Sequence, residues 1–114
     1  MLPQAARLRK TKDFKEVFGK GRGVRDNRLF LKARAVKNEN TRFGIVVSKQ
    51  VAVKAADRNR IKRLLRESVR NCMPDVKRGY DIILVTLPGF IGTTLVDVNP
   101  QVVNVIKKSS LFKP

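Results

Sequence analysis

The residues with the clearest chemical meaning form one basic stretch in the middle of the sequence. From Arg58 to Glu67 the sequence reads RNRIKRLLRE, in which six of ten residues are charged and five of those six are positive. On a helix, the apolar residues Ile61, Leu64 and Leu65 fall on one side. Most of the cations fall on a neighbouring arc of roughly 140°. The pattern predicts a helix that packs on a core and presents a basic face to a negatively charged polymer.

An ordinary solvated helix is the alternative interpretation of this stretch. Solvated faces usually mix charges of both signs, because opposite charges three or four positions apart stabilise a helix. Here Glu67 is the only acid between Arg58 and Arg70. Like charges at this density destabilise a helix, so their presence favours a role in binding over a role in folding.

The whole sequence carries the same charge bias. Its 114 residues include 26 Lys and Arg against 9 Asp and Glu, which gives a formal net charge of +17. The cations extend from Arg7 to Lys113, which indicates a basic folded surface, and the expected partner is a nucleic acid. Hydrophobic residues make up 42% of the chain, enough for one modest core, so we expect residues 1–114 to form a single domain.

Groups able to catalyse a reaction are scarce in this sequence. There is no histidine, and the single cysteine, Cys72, has no partner to activate it and lies on the apolar side of the basic helix. The nine carboxylates form no close cluster of the kind that holds a catalytic metal, and there is no glycine-rich phosphate loop. The sequence therefore predicts a buried Cys72, no catalytic residue, no metal ligand and no cofactor bound by the protein itself.

Membrane association is not expected either. The sequence has no run of about 18 apolar residues, and its first residues lack the hydrophobic core of a signal peptide. The apolar side of the basic helix is short and has no interfacial aromatic residue, which argues against binding at a membrane surface. We expect a soluble, cytoplasmic protein.

Periodicity predicts three elements before the basic helix. The first has helical spacing, the second alternates along the chain, and the third is rich in β-branched residues. Residues 38–40 have the composition of a turn. We therefore expect the two strands to pair as an antiparallel hairpin. The three elements are a helix from Thr11 or Asp13 to about Phe18, ended by Gly19 and Gly21, a strand over residues 27–36 and a strand over residues 42–48.

The remaining elements complete an α+β pattern. The basic helix is expected from about Ala55 to Cys72, where Pro74 stops it. Residues 80–87 are a nearly continuous apolar run, typical of a central strand covered on both faces. Asn99 and Pro100 suit the N-cap and first position of a last helix. The order of elements predicts a small α+β sandwich with helices packed on a sheet.

The sequence resembles the protein subunits of bacterial ribonuclease P, the ribonucleoprotein that removes the 5′ leader from precursor tRNA. The resemblance covers nearly the whole chain. Its most specific part is Ser48-Lys49, followed at a short distance by the RNR signature of the family in residues 58–67. Weaker matches are Leu8-Arg9, Asp13-Phe14, Val17-Phe18, Arg42-Phe43-Gly44, Tyr80-Asp81-Ile82-Ile83 and Lys108-Ser109-Ser110-Leu111-Phe112.

The resemblance implies a fold and a division of labour. The fold is a sheet of about four strands that carries helices on one face, with a left-handed βαβ crossover through the basic helix, against the usual right-handed preference. Catalysis belongs to the RNA subunit and the Mg²⁺ that it requires. The implied partners are the ribonuclease P RNA and precursor tRNA, whose leader enters a cleft between the first helix and the sheet. No obligate protein partner is evident.

Roles for individual residues also follow from the resemblance. Phe14 and Phe18 match the aromatic residues that line the leader cleft, where rings can stack on unpaired bases. Their spacing alone favours burial in a core, which is the usual outcome for aromatic residues at i and i+4. Lys49 is expected to contact phosphate, while Ile61, Leu64 and Leu65 are expected to pack. RNA contact is implied for Arg58, Asn59, Arg60, Lys62, Arg63 and Arg66.

Two other functions remain open at this point. A basic structural RNA-binding protein, such as a ribosomal protein, would share the charge and the lack of catalytic groups, but it would not need the RNR signature together with Phe14 and Phe18. A DNA-binding protein would need a recognition helix, and no second helix is placed to form a helix-turn-helix with residues 55–72.

Overall fold

The computed structural model describes residues 2–37 and 39–114, which form a four-stranded sheet and three α-helices. Short 3₁₀ turns lie at Gln4–Ala6 and Met73–Asp75. The strands are β1 (Arg22–Asp26), β2 (Leu29–Ala35), β3 (Arg42–Val46) and β4 (Tyr80–Thr86). The helices are α1 (Thr11–Lys20), α2 (Ala55–Cys72) and α3 (Leu95–Lys108). This confirms the predicted α+β class.

The strands lie in the order β1-β2-β4-β3, so the predicted antiparallel hairpin of β2 and β3 is wrong. β2 pairs antiparallel with β1 and β4, and β3 pairs parallel with β4 after the crossover through α2. The left-handed sense of this crossover stays a prediction of the resemblance. β4 lies between β2 and β3 because its apolar residues on both faces suit a central position. Residue 38 of the predicted turn lies outside the described residues.

Both faces of the sheet are covered by helices. Ile82 and Leu84 of β4 are buried in the main core with residues of α2 and α3. Ile83 points to the opposite face, where it packs with Val17 of α1. The implied arrangement with helices on one face is therefore wrong for α1, since the alternate side chains of β4 are apolar on both sides.

The basic helix has the predicted bounds and the predicted buried side. Leu65, Ser68, Val69 and Cys72 are buried between α2 and the rest of the main core, while Ile61 and the neighbouring Leu64 are half-buried. Pro74 lies in the 3₁₀ turn that follows α2. The basic side chains consequently lie on the outer part of the helix.

Two element boundaries differ from the prediction. α1 continues to Lys20, with Gly21 as its C-cap. α3 begins at Leu95, four residues before Asn99, because the side chain of Thr94 accepts a hydrogen bond from the amide of Asp97 at 3.3 Å and caps the helix. Pro100 therefore lies inside α3.

β1 was not predicted, because three of its five residues are charged and one is glycine. Its position depends on its partner strand, since all five residues pair with β2. The tertiary pairing, and not local propensity, decides that this segment is a strand.

Candidate nucleic-acid interface

Two arginines of the RNR signature hold loops of the protein itself. The Nη1 atom of Arg58 donates to the carbonyl oxygens of Ala52 and Val53 at 3.0 and 2.6 Å, in the loop that precedes α2. The Nη2 atom of Arg60 donates to the carbonyl of Thr93 at 2.8 Å, in the loop that precedes α3. The two guanidinium groups thus lie on different sides of the first turns of α2.

Other residues predicted to contact RNA do not hold loops of the protein in this way. Lys49 and Asn59 are exposed, Arg63 is exposed one turn further along α2, and Lys62 is half-buried. In the part of the chain that the structure describes, the side chains of Lys62 and Arg63 have no hydrogen bond or ion pair. Their charges are therefore available to an external anion.

Arg66 lies at a groove of about 220 Å³ along β3, an edge strand of the sheet. The segment before α1 forms one wall, because the amide of Leu8 donates to the carbonyl of Phe43 at 2.9 Å. We call this cavity the arginine groove. It is lined by Arg7, Leu8, Arg9, Phe14, Phe43, Gly44, Ile45 and Arg66.

The charges in the arginine groove are not balanced. Its lining has three arginines and no carboxylate. The pKa of Arg66 lies below its ordinary value, first because the guanidinium is partly desolvated and then because the charge of Arg7 is close. Arg7 donates through Nε to the carbonyl of Leu2 at 2.9 Å, which fixes its position. An anion bound between Arg7 and Arg66 would relieve the repulsion between them.

Phe14 lies between the arginine groove and the face of the sheet that carries α1. Its ring lies directly on Gly44, where a Cβ atom would be 2.5 Å from the Cζ atom of Phe14, so the close contact requires glycine. Phe14 is half-buried, and Phe18 is 43% exposed. Full burial in a core, the alternative for this pair, does not describe Phe18.

The structure thus brings together some of the predicted residues and separates others. Arg66 and Phe14 line one groove, whereas Arg60 lies at the loop before α3. Sequence reasoning assigned no role to Arg7 and Arg9. Arg7 offers only its positive charge as a local signal, and Arg9 adds the weak match of Leu8-Arg9 to the family. The place of both residues in the groove depends on the pairing of the first segment with β3.

No metal centre or membrane span is found in the described part of the chain. Among residues 2–37 and 39–114, no three or more His, Cys, Asp and Glu side chains are grouped so that they could hold a metal ion. None of the described helices combines the length and the apolar character needed to cross a bilayer.

Comparison with known proteins identifies close relatives in sequence. A family model described as Ribonuclease P matches residues 2–110. The ribonuclease P protein component of Clostridium kluyveri is 36% identical over 109 residues, which is 94% of this chain and 96% of that protein. The component of Synechocystis is 36% identical over 92 residues, which is 80% of this chain and 74% of that protein.

Solved structures show the same architecture. The ribonuclease P protein of Staphylococcus aureus superposes with a TM-score of 0.86 at 27% identity, covering 96% of this chain and 100% of that one. The protein of Thermotoga maritima gives a TM-score of 0.79 at 27% identity, covering 90% of this chain and 96% of that one.

Proposed function

This chain belongs to the ribonuclease P protein family, and we propose that α2 binds the catalytic RNA subunit while the arginine groove and Phe18 receive the 5′ leader of precursor tRNA. As the protein component of a tRNA-processing endoribonuclease, the chain has ribonuclease P RNA and precursor tRNA as its partners. Membership in this family decides against the alternative of a ribosomal protein.

One observation supports the assignment of α2 to the RNA subunit and of the arginine groove to the leader. Arg66 belongs both to the basic side of α2 and to the arginine groove, so the two candidate RNA surfaces meet at one side chain. RNA held on α2 through Lys49, Arg58, Asn59, Arg60, Lys62 and Arg63 would therefore lie beside any strand in the groove. This proximity is what a subunit needs if it is to hold a substrate next to a catalytic RNA.

The leader would be held by its phosphates and by its bases. Arg7, Arg9 and Arg66 offer guanidinium groups to phosphate oxygens. Phe14 and Phe18 offer aromatic rings to unpaired bases, and such stacking is tolerant of sequence. Tolerance suits a leader, because different precursor tRNAs have different leader sequences.

The hydrolysis itself would be carried by the RNA subunit with its Mg²⁺. The protein supplies cations that offset the repulsion between two polyanions, which raises the affinity for substrate and lowers the Mg²⁺ concentration that the holoenzyme requires. Residues 1–114 would act as one RNA-binding domain, in the cytoplasm where precursor tRNA is processed.

The first experiment tests the junction of the two surfaces. Holoenzyme assembled from a bacterial ribonuclease P RNA and the Arg66→Gln protein should bind precursor tRNA more weakly and need more Mg²⁺ for leader removal. Arg70→Gln is the matched control, because Arg70 is exposed and pairs with Glu67 at 2.9 Å. Equal behaviour of Arg66→Gln and the wild type would contradict the proposal.

The second experiment tests the leader. Phe18→Ala should weaken the binding of precursor tRNA by about 1–3 kcal/mol, the contribution of one aromatic stack. Mature tRNA lacks a leader and should bind as before. Because Phe18 is largely exposed, the melting temperature should change little, and equal losses on both tRNAs would show that Phe18 does not contact the leader.

A further inference from the structure

A separate cleft lies on the face of the sheet opposite to α1. Arg22 pairs directly with Ala33, and Val24 with Leu31, so all four side chains point to the face that carries α3. With the start of β4 and the last turn of α3, they line a cavity of about 180 Å³, which we call the α3 cleft. The sheet separates it from α1. The arginine groove lies at the other edge of the sheet, three strands and about 14 Å away.

The floor of the α3 cleft is apolar and buried. Leu31 is fully buried, and Leu111 is 4% exposed. Ala33 has the smallest side chain of the lining and leaves room beside Arg22, its partner on β1. The volume of about 180 Å³ is smaller than that of sites for drug-sized ligands, so the cleft suits one small chemical group.

The rim of the cleft carries hydrogen-bond donors that the protein itself does not use. Lys77 and Tyr80 are half-buried, while Arg22 and Ser110 are exposed. Within the described ranges 2–37 and 39–114, the side chains of these four residues make no hydrogen bond or ion pair. The amide of Lys77 donates to the carbonyl of Leu111 at 2.8 Å, which joins β4's approach to the end of α3. A guanidinium group, an ammonium group and two hydroxyl groups thus line one small cavity.

The positive charge of the α3 cleft is not balanced. Among the described residues, its lining contains no carboxylate. Asp26 points to the same face of β1, but it lies four residues from Arg22, about 13 Å along the strand. The last carbonyls of α3, at residues 105–107, accept hydrogen bonds from the turn of residues 109–111, which satisfies the negative end of the helix. A cavity rich in donors and in positive charge favours an oxyanion.

The backbone of Ser110 is a further indication of a ligand. Its φ of 58° is in the left-handed region, at the position after a helix where glycine is usual. A serine side chain is strained in this conformation. Its hydroxyl makes no hydrogen bond within the described part of the chain that would compensate for the strain. Such strain is typical of functional positions, and here it places a hydroxyl group at the rim of the cleft.

We propose that the α3 cleft binds a phosphate group of an RNA backbone, with Arg22 and Lys77 as charged contacts and the hydroxyls of Tyr80 and Ser110 as neutral donors. Helix α3 spans 14 residues, about 21 Å, between the loop that Arg60 holds and this cleft. The site is therefore a third RNA contact, remote from the signature arginines and on the other face of the sheet from α1. Inorganic phosphate offers the same chemical group, and the test separates the two sources.

The first arm of the test uses inorganic phosphate and the isotope-labelled protein without RNA. An NMR titration should give saturable shifts of the amides of Lys77 and Ser110. Lys77→Gln, and independently Arg22→Gln, should raise the Kd from these shifts by about 10-fold or more, the effect of losing a hydrogen bond to a charged group. Lys107→Gln makes the same change in net charge on α3 but outside the lining, and should behave as the wild type. Absent shifts, or equal reductions by Lys77→Gln and Lys107→Gln, would overturn the site.

Ser110→Gly distinguishes a ligand contact from a structural role. Glycine relieves the strain at positive φ, so the melting temperature should rise. Loss of the hydroxyl should at the same time raise the Kd for phosphate by about 3- to 10-fold. An unchanged Kd would show that the strained serine is not a contact of the phosphate.

The second arm identifies the source of the phosphate. In phosphate-free buffer, the affinity of the protein for the RNA subunit and of the holoenzyme for precursor tRNA is measured with the wild type, Lys77→Gln and Lys107→Gln. If RNA fills the cleft, Lys77→Gln should weaken one of these affinities several-fold more than Lys107→Gln does. Equal affinities for Lys77→Gln and Lys107→Gln would mean that the cleft takes only inorganic phosphate and would overturn the assignment to RNA. Arg66→Gln tests the proposed function separately, because Arg66 does not line the α3 cleft.

Discussion

Side chains of one type in one short motif have three different environments in this protein. Arg58 and Arg60 donate to backbone carbonyls of two loops, Arg63 extends into solvent, and Arg66 lies in a groove beside Arg7. Sequence spacing predicted the basic side of α2, because that depends on helical geometry alone. It could not predict which arginine meets a carbonyl, because the loops that provide those carbonyls are placed by the tertiary fold.

This difference between the arginines can be measured. Arg60→Ala removes the hydrogen bond to Thr93 and should lower the free energy of unfolding by about 0.5–1.5 kcal/mol. Arg63→Ala should leave the unfolding curve unchanged and weaken binding to the RNA subunit. Thermal melting and filter binding on both variants provide the comparison. A stable Arg63→Ala protein with full affinity would show that Arg63 does not contact the RNA.

Cys72 is the other residue whose environment predicts its chemistry. The sequence predicted a buried cysteine, and the structure confirms it. Burial raises the pKa of the Cys72 thiol to about 11. Only the thiolate reacts with alkylating reagents, so at pH 8 about one molecule in a thousand carries the reactive form. We expect no modification by iodoacetamide of the native protein and rapid modification after unfolding in denaturant; rapid reaction of the native protein would contradict the buried position.

At the scale of elements, the predictions succeeded where one local pattern decides the outcome. The periodicity of α2 and the apolar run of β4 are strong local signals, and both elements have the expected bounds within one residue. The predicted partner of β2 was wrong and β1 was missed, because both depend on which strands meet in three dimensions. The predicted start of α3 was wrong for a local reason, since two different sequences that suit a helix cap lie five residues apart.

A pair of substitutions distinguishes the two possible starts of α3. Thr94→Ala removes the side chain that caps the helix and should cost about 1 kcal/mol of stability. Asn99→Ala alters the cap that the sequence suggested, but residue 99 lies inside α3, so this change should be neutral or slightly stabilising. Chemical denaturation of the two variants measures both values. A larger loss for Asn99→Ala would place the start of the helix at the later position.

For the whole molecule, charge and fold act together. A net charge of +17 opposes folding through self-repulsion and favours association with a polyanion. The fold arranges part of this charge along α2 and the arginine groove, next to apolar surface that can accept bases. Composition alone predicted the class of partner. The position of the arginine groove could not be predicted from composition, because it depends on the pairing of the segment before α1 with β3.

This arrangement predicts how assembly with the RNA subunit responds to salt. Each phosphate that the protein neutralises releases counterions, and the logarithm of the binding constant then falls by about 0.7–0.9 units per phosphate for each tenfold rise in salt. If α2 and the loop at Lys49 neutralise several phosphates, the slope should be several units. Lys62→Gln should reduce the slope by about one unit, because Lys62 has no carboxylate partner among the described residues. Lys107→Gln, on α3 and outside the proposed interfaces, makes the same change in net charge and should leave the slope as it was. Equal reductions by both variants would mean that binding responds to the total charge of the protein and not to the surface on α2.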